Sequence, residues 1–170
     1  RRMMVAEEGI EKLKDKVDTM IVIPNDRIFA IIEKDTTLIK AFEAVDNILR
    51  SAVQGIAELI AMPGIINVDF SDVKTIMQNA GTALVGIGIG SGQDRAIAAV
   101  TQAVNSPLLE TSIEGAKGVL FGISGSRDLK MSEVNDVAKI ISEAVDSSAK
   151  IIFGAYHDKS MKQGQLKVTL

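Results

Sequence analysis

No cysteine occurs in the 170 residues, which excludes disulfides, thiolate metal sites and thiol nucleophiles and is compatible with a reducing compartment. There is one histidine, His157, beside Asp158 in a stretch that reads as loop. One imidazole makes neither a histidine metal site nor a catalytic triad, so a solvated side chain is the expectation. Excess charge of one sign is missing too. With 19 Lys and Arg against 22 Asp and Glu the formal charge is −3, which argues against a protein built to coat nucleic acid. The opening Arg1-Arg2-Met3-Met4 lacks the apolar core of a secretory signal. The uncharged stretch 75–93 is interrupted by Gln78, Asn79, glycines and hydroxyl residues, which makes it a poor membrane span. The expectation is a soluble, cytoplasmic chain with no direct membrane insertion. A start without an initiator methionine, and a last strand that runs into the final residue, suggest a piece cut from a longer protein.

What is present is an ordinary globular composition, 46% hydrophobic and 24% charged, at a length that buries roughly 70% of the unfolded surface. Residues 3–16 carry helical spacing, with Ile10, Leu13 and Val17 on one side. Thr19 to Ile23 is a β-branched apolar run, the mark of a strand covered on both faces, and Pro24-Asn25-Asp26 ends it. A short helical stretch, Arg27 to Glu33, follows. Asp35-Thr36-Thr37 supplies cap chemistry for a long helix, in which Leu38, Phe42, Val45, Leu49, Val53, Ile56 and Leu59 hold the 3.6-residue period to about residue 60. Met62-Pro63-Gly64 stops it. A shorter helix is expected over 70–79, closed by Ala80-Gly81. Strands are expected over 83–89, 118–123, 149–155 and 165–170, with helices over 94–105 and 132–145, the second capped by Ser132. That makes the second half a mixed α/β layer structure.

Two patterns invite a nucleotide reading, and neither survives. Gly86, Gly88, Gly90 and Gly92 alternate strictly, unlike the G-x-G-x-x-G of dinucleotide folds; alternation puts them on one strand face, where another backbone must come close. Gly122-Ile123-Ser124-Gly125-Ser126 lacks the G-K-[ST] ending of a phosphate loop and reads as a turn. Asp69 and Asp72 stand three apart at a helix mouth. Capping of that helix explains both; a pair that polarises a water is the functional alternative. The preceding Pro63-Gly64-Ile65-Ile66 is more apolar than a free loop should be and hints at insertion into a partner. Phe42 and Asp46 share a face of the long helix, and Asn25 sits beyond a strand end, where α/β sheets bind ligands. An aromatic ring, a carboxylate and an amide suit guanine, although a phenylalanine there also fits a core position.

The segments Val17–Asp26, Phe42–Arg50, Ala52–Ile56 and, above all, Pro63-Gly64-Ile65-Ile66-Asn67-Val68-Asp69-Phe70-Ser71-Asp72-Val73-Lys74-Thr75 resemble FtsZ, the bacterial tubulin-like division GTPase. The likeness continues through Gly81–Gly90, Ser106–Glu110, Gly115–Gly122 and Ile151–Gly154. The resemblance implies an α/β fold: over 1–60 the end of a Rossmann-like GTP-binding domain with a long central helix from about 36; over 61–80 a synergy loop and its helix; over 81–170 a two-layer α/β C-terminal domain with its last strand truncated. The family's G-G-G-T-G-[ST]-G phosphate loop is absent from this chain. Carried over by position, Asn25, Phe42, Asp46 and Arg2 match guanine-nucleotide contacts. Asp69 and Asp72, with Asn67 beside them, match the residues that complete the neighbouring subunit's hydrolysis site. Pro63, Gly64, Ile65, Ile66 and Phe70 match the polymer contact.

The cofactors so implied are GTP or GDP, with Mg2+ held mainly by the nucleotide and no metal site on the chain itself. The implied partners are copies of the chain in head-to-tail filaments at the division site, and division adaptors reached through a tail not contained here. Without a phosphate loop the chain alone should be inactive. The alternative reading is a non-catalytic fragment that docks on filaments or caps them.

Overall fold

The computed structural model describes residues 2–23, 35–107, 109 and 112–170; for Arg2 it describes the backbone only. Its organisation follows from two apolar strands. Strand β4 (Gly118–Gly125) and strand β5 (Lys150–His157) pair in parallel, from Gly118 opposite Lys150 to Gly125 opposite His157. A parallel pair needs cover on both faces, and alternation divides their side chains accordingly. Val119, Phe121, Ile123 and Ala155 enter a core with Ala99, Val100 and Ala103 of helix α4 (Arg95–Val104) and Val134, Val137 and Ile141 of helix α5 (Met131–Ala144). The Phe121 and Phe153 rings stack at 5.2 Å. Leu120, Ile152 and Tyr156 point the other way, into a second core with Leu59, Val68 and Val73. Each large apolar side chain so buried stabilises the fold by about 1.5–3 kcal/mol.

Strand β3 (Ile87–Ser91) and strand β6 (Gln165–Thr169) complete the sheet in the order β3-β6-β4-β5, with β6 antiparallel to both neighbours. The glycine stripe lies where α4 crosses β3. A Cβ on Gly88 would stand 1.9 Å from the Ala99 carbonyl oxygen, and one on Gly90 equally close to that of Arg95. The alternation is therefore a packing device.

Ahead of this layer, helix α1 (Arg2–Lys14) leads to strand β1 (Thr19–Ile21), which pairs in parallel with strand β2 (Gly81–Ala83). Helix α2 (Leu38–Ala61) starts at Thr37, whose side chain accepts from the Lys40 N–H, and stops at Met62, held extended by the following Pro63. It docks on the sheet through Leu59, which fills the space above Gly122 and Gly154, and through Gly55, which lies against Thr169. Helix α3 (Phe70–Met77) follows the loop.

Several expectations change in the folded chain. The strand expected over 83–89 is two: β2 belongs to the β1 sheet and β3 to the larger one, and an apolar run does not encode where a chain changes partner. Residues 122–125 are strand and not a turn: Gly122 gives room to Leu59, and Gly125 lies against Leu129 and the Gln165 carbonyl. His157 is the last residue of β5, exposed, with Nδ1 3.1 Å from the Ser126 carbonyl oxygen. Helix α5 begins at Met131, and Glu133, not Ser132, caps it by accepting from the Lys130 N–H at 2.8 Å. Helix α3 ends at Met77 because Asn79 turns the chain in the left-handed region at φ 55° while donating its N–H to Asp18. The helical stretch expected over 27–33 lies outside the described residues.

Candidate functional site

The loop after α2 is shaped by backbone bonds to an edge strand. The Ile65 and Ile66 N–H groups both donate to the Ala155 carbonyl, at 2.7 and 3.1 Å, and the Ala155 N–H donates to the Ile66 carbonyl at 3.0 Å. Gly64 is required at this approach, since a Cβ there would lie 2.6 Å from the Ala155 oxygen. Its own N–H donates to Asn67 Oδ1 at 2.7 Å, so the Asn67 side chain braces the loop. Val68 is buried, and its burial carries the chain down onto the sheet before it rises into α3.

Asp69 occupies the N-cap of α3. Its Oδ1 accepts from Ser71 N–H at 3.4 Å, a long bond, while its carbonyl accepts from Asp72 N–H at 3.0 Å. Asp72 lies in the first turn. Both carboxylates are exposed, and neither has an ion-pair partner among the described residues. Capping accounts for part of Asp69 and leaves Asp72 without a bonded role. The apolar residues here divide into two kinds. Ile65 is 48% exposed, Phe70 60%, and Pro63 is exposed. Ile66 is half-buried, packs on the main core and bridges to Ala155, so its apolar side chain serves the fold.

At the other end of α2, Phe42 and Asp46 lie exposed on one face, so Phe42 is not a core residue among the described elements. Asn25 and the Arg2 side chain lie outside the described residues. At about 1.5 Å per residue, roughly 24 Å of helix separates Asp46 from the loop. One nucleotide does not span that distance. Among the described residues no cluster of three or more His, Asp or Glu side chains could hold a metal ion, and no helix is long and apolar enough to cross a membrane. A cleft of about 830 Å³ between α2, α3, β2 and the sheet is lined by residues such as Ile21, Ile56, Ile76, Val85 and Leu120 and holds no carboxylate or histidine.

Two polar constellations were not anticipated from sequence. Glu58, near the end of α2, accepts from the Tyr156 hydroxyl at 2.6 Å through one oxygen and from Gln54 Nε2 at 2.5 Å through the other. Burial, reinforced by Glu58, pushes the Tyr156 phenol above its usual range, so it stays protonated and donating. Elsewhere Arg95, 4% exposed, donates from Nε and Nη2 to Glu133 at 2.6 and 2.9 Å and from Nη1 to Asp128 at 2.7 Å. Its hydrogen bond to Glu133 raises the guanidinium pKa against the cost of burial. Asp128, accepting from Ser126, Arg95 and the Gly164 N–H, is held down to about 2. The available signal was an arginine in the first turn of a helix, where the dipole disfavours it unless acids are near.

A long helix linking a parallel strand pair to a mixed α/β layer, with paired carboxylates on the loop at its end, defines the tubulin-like class. A family model described as "FtsZ family, C-terminal domain" matches residues 81–170. The FtsZ of M. jannaschii, solved as an empty dimer, is 42% identical over 95% of this chain and 47% of that one, with a TM-score of 0.90. The chain belongs to the FtsZ family. Two proteins of Haloferax volcanii share the fold: CetZ1, a GDP-bound monomer (18% identity, TM-score 0.68, 90% of this chain and 45% of that one), and CetZ2, a GTPgS-bound protofilament (17%, 0.73, 96% and 48%). The chain thus spans about half the length of these relatives, and family membership carries no statement of bacterial origin.

Proposed function

We propose that this chain is half of a polymerising GTPase that acts at the cytoplasmic division site, and that each nucleotide is handled by two subunits. The observation that carries this reading is the placement of the two polar sets at opposite ends of α2, with the carboxylates of Asp69 and Asp72 solvent-facing and unpaired among the described residues. Too far from Asp46 to serve the same nucleotide, they suit one bound by a neighbour. The M. jannaschii relative, solved as a dimer, supports self-association.

In this reading Phe42 stacks on guanine, Asp46 accepts from its adjacent N–H donors, and Asn25 and Arg2 complete the base and nucleotide contacts. Carboxylates beside a γ-phosphate repel it, so Asp69 and Asp72 do not stabilise transition-state charge. They orient the attacking water and draw off its proton. Asn67 keeps the loop in shape for that task. Mg2+ carried with GTP would supply charge neutralisation. Head-to-tail contact through Pro63, Gly64, Ile65 and Phe70 makes hydrolysis conditional on assembly, so GTP favours polymer and its loss loosens the contact.

The test is complementation. In chains completed with a nucleotide-binding half of a family member, Asp69→Ala and Asp46→Ala should each hydrolyse GTP poorly at a concentration that limits binding. A mixture should recover turnover, because an intact guanine site then meets an intact loop. Failure of the mixture to exceed its components sinks the two-subunit reading.

A further inference from the structure

Three consecutive residues of β5 contact both the end of α2 and the loop that follows it. The Ala155 backbone exchanges three hydrogen bonds with Ile65 and Ile66. Gly154 leaves the space for Leu59 and Val68; a Cβ there would stand 2.7 Å from Leu59 Cδ2 and 3.1 Å from Val68 Cγ2. Tyr156 reaches across to Glu58, one helical turn before Met62, whose N–H closes α2 on the Glu58 carbonyl at 2.9 Å. The loop therefore springs from a helix end that is itself pinned to the strand on which the loop lies. Glu58 is engaged through both carboxylate oxygens, and Tyr156 is 3% exposed.

We propose that Tyr156 and Glu58 are a positioning pair: their hydrogen bond sets the height and angle at which the loop leaving α2 carries Asp69 and Asp72 to the neighbouring subunit. Neither residue touches nucleotide. They act by holding the helix end in register with β5, where a misplacement on the order of 1 Å costs large factors in rate. The proposal rests on the role assigned above to Asp69 and Asp72.

Turnover per assembled subunit, KM for GTP and melting temperature are measured in the completed chain. The variants are Tyr156→Phe, Glu58→Ala, their double and Glu58→Gln, beside Asp69→Ala and a destabilised control, Val137→Ala, from the core on the opposite face. The expected result is a kcat loss of roughly 10-fold in Tyr156→Phe and in Glu58→Ala with KM unchanged. The double should lose no more than either single, and Glu58→Gln, which keeps an oxygen towards Tyr156, should retain most of the rate. In the chain as it stands, Tyr156→Phe should speed amide exchange at Ile65 and Ile66 ahead of the sheet amides. A Tyr156→Phe rate equal to the parent's, or reduced only as far as in Val137→Ala, overturns the positioning role. If Tyr156→Phe fails to fold, Glu58→Ala at the partly exposed helix end decides by the same criteria. Loss of turnover in Asp69→Ala with none in these variants sinks the pair alone; full turnover in Asp69→Ala sinks both readings.

Discussion

Asp46 and Arg95 show how differently a charged residue can be used. Asp46 stands exposed with no ion-pair partner among the described residues. If it accepts from guanine, Asp46→Ala in a completed chain should weaken GTP binding by about 1–3 kcal/mol, the cost of leaving buried donors unpaired; direct titration reads this, and equal affinity removes Asp46 from the site. Arg95 is buried and ion-paired to both Asp128 and Glu133. Arg95→Met should cost roughly 3 kcal/mol, towards the low end for a broken buried pair because Asp128 keeps 32% of its side chain exposed. The same cluster sets an acid limit. Asp128 and Glu133 have depressed folded-state pKa values, so their stabilisation is complete above the ordinary carboxylate range and is lost as pH falls. For Asp128 the window runs from its ordinary 3.8 down to about 2. Urea midpoints taken through that range should fall more steeply in the parent than in Arg95→Met.

At the scale of elements, the loop separates residues that the sequence groups together. Ile65 and Ile66 are adjacent and chemically identical, but the side chain of one faces outward and that of the other packs on the core. Ile65→Lys should leave the melting temperature nearly unchanged and weaken subunit association. Ile66→Lys should cost on the order of 2 kcal/mol of stability, because it removes packed apolar surface and sets a charge against the sheet. Paired melting and sedimentation measurements distinguish them, and equal melting temperatures would contradict the packing of the Ile66 side chain on the core. The glycine stripe yields a sharper expectation. Gly88→Ala drives a methyl group into the α4 backbone and should destabilise by about 1–3 kcal/mol or more, with the sheet and α4 parting as far as the core allows.

For the whole molecule, the core of α4, α5 and the four-stranded sheet is drawn from residues 96–168, with Ile66 and other neighbours packed around it. That layer has the apolar content to fold as a unit. The chain carries the loop face but no phosphate loop, so it should not hydrolyse GTP by itself at any concentration of nucleotide. It should still dock through Ile65 and Phe70 on the nucleotide-bearing end of filaments of a matching full-length protein. Having no complete pocket to offer the next subunit, it should then inhibit growth at substoichiometric amounts, as seen by light scattering. Undiminished polymer at equimolar folded fragment would remove this capping behaviour and leave the family assignment intact.

Sequence by itself determined what depends on near neighbours. The 3.6-residue period and Thr37 define α2, Pro63 ends it, the alternating glycines announce a close backbone approach, and the Pro63–Thr75 motif carries the family. Each is a local property: a dihedral preference, a cap, a spacing or a run of residue types. Long-range pairing decided the rest. Whether residues 81–89 form one strand or two depends on β1 and β6, which lie far off in the chain. Ile66 is separated from Ile65 in role only by the packing of its side chain on the distant core, and Tyr156 acquires Glu58 across nearly a hundred residues. Arg95 finds Asp128 and Glu133 only once α4 lies on β3. Contacts of that kind form when apolar surfaces are buried together, and the position of a polar group within them follows from how the layers seat, which no window of neighbouring residues contains.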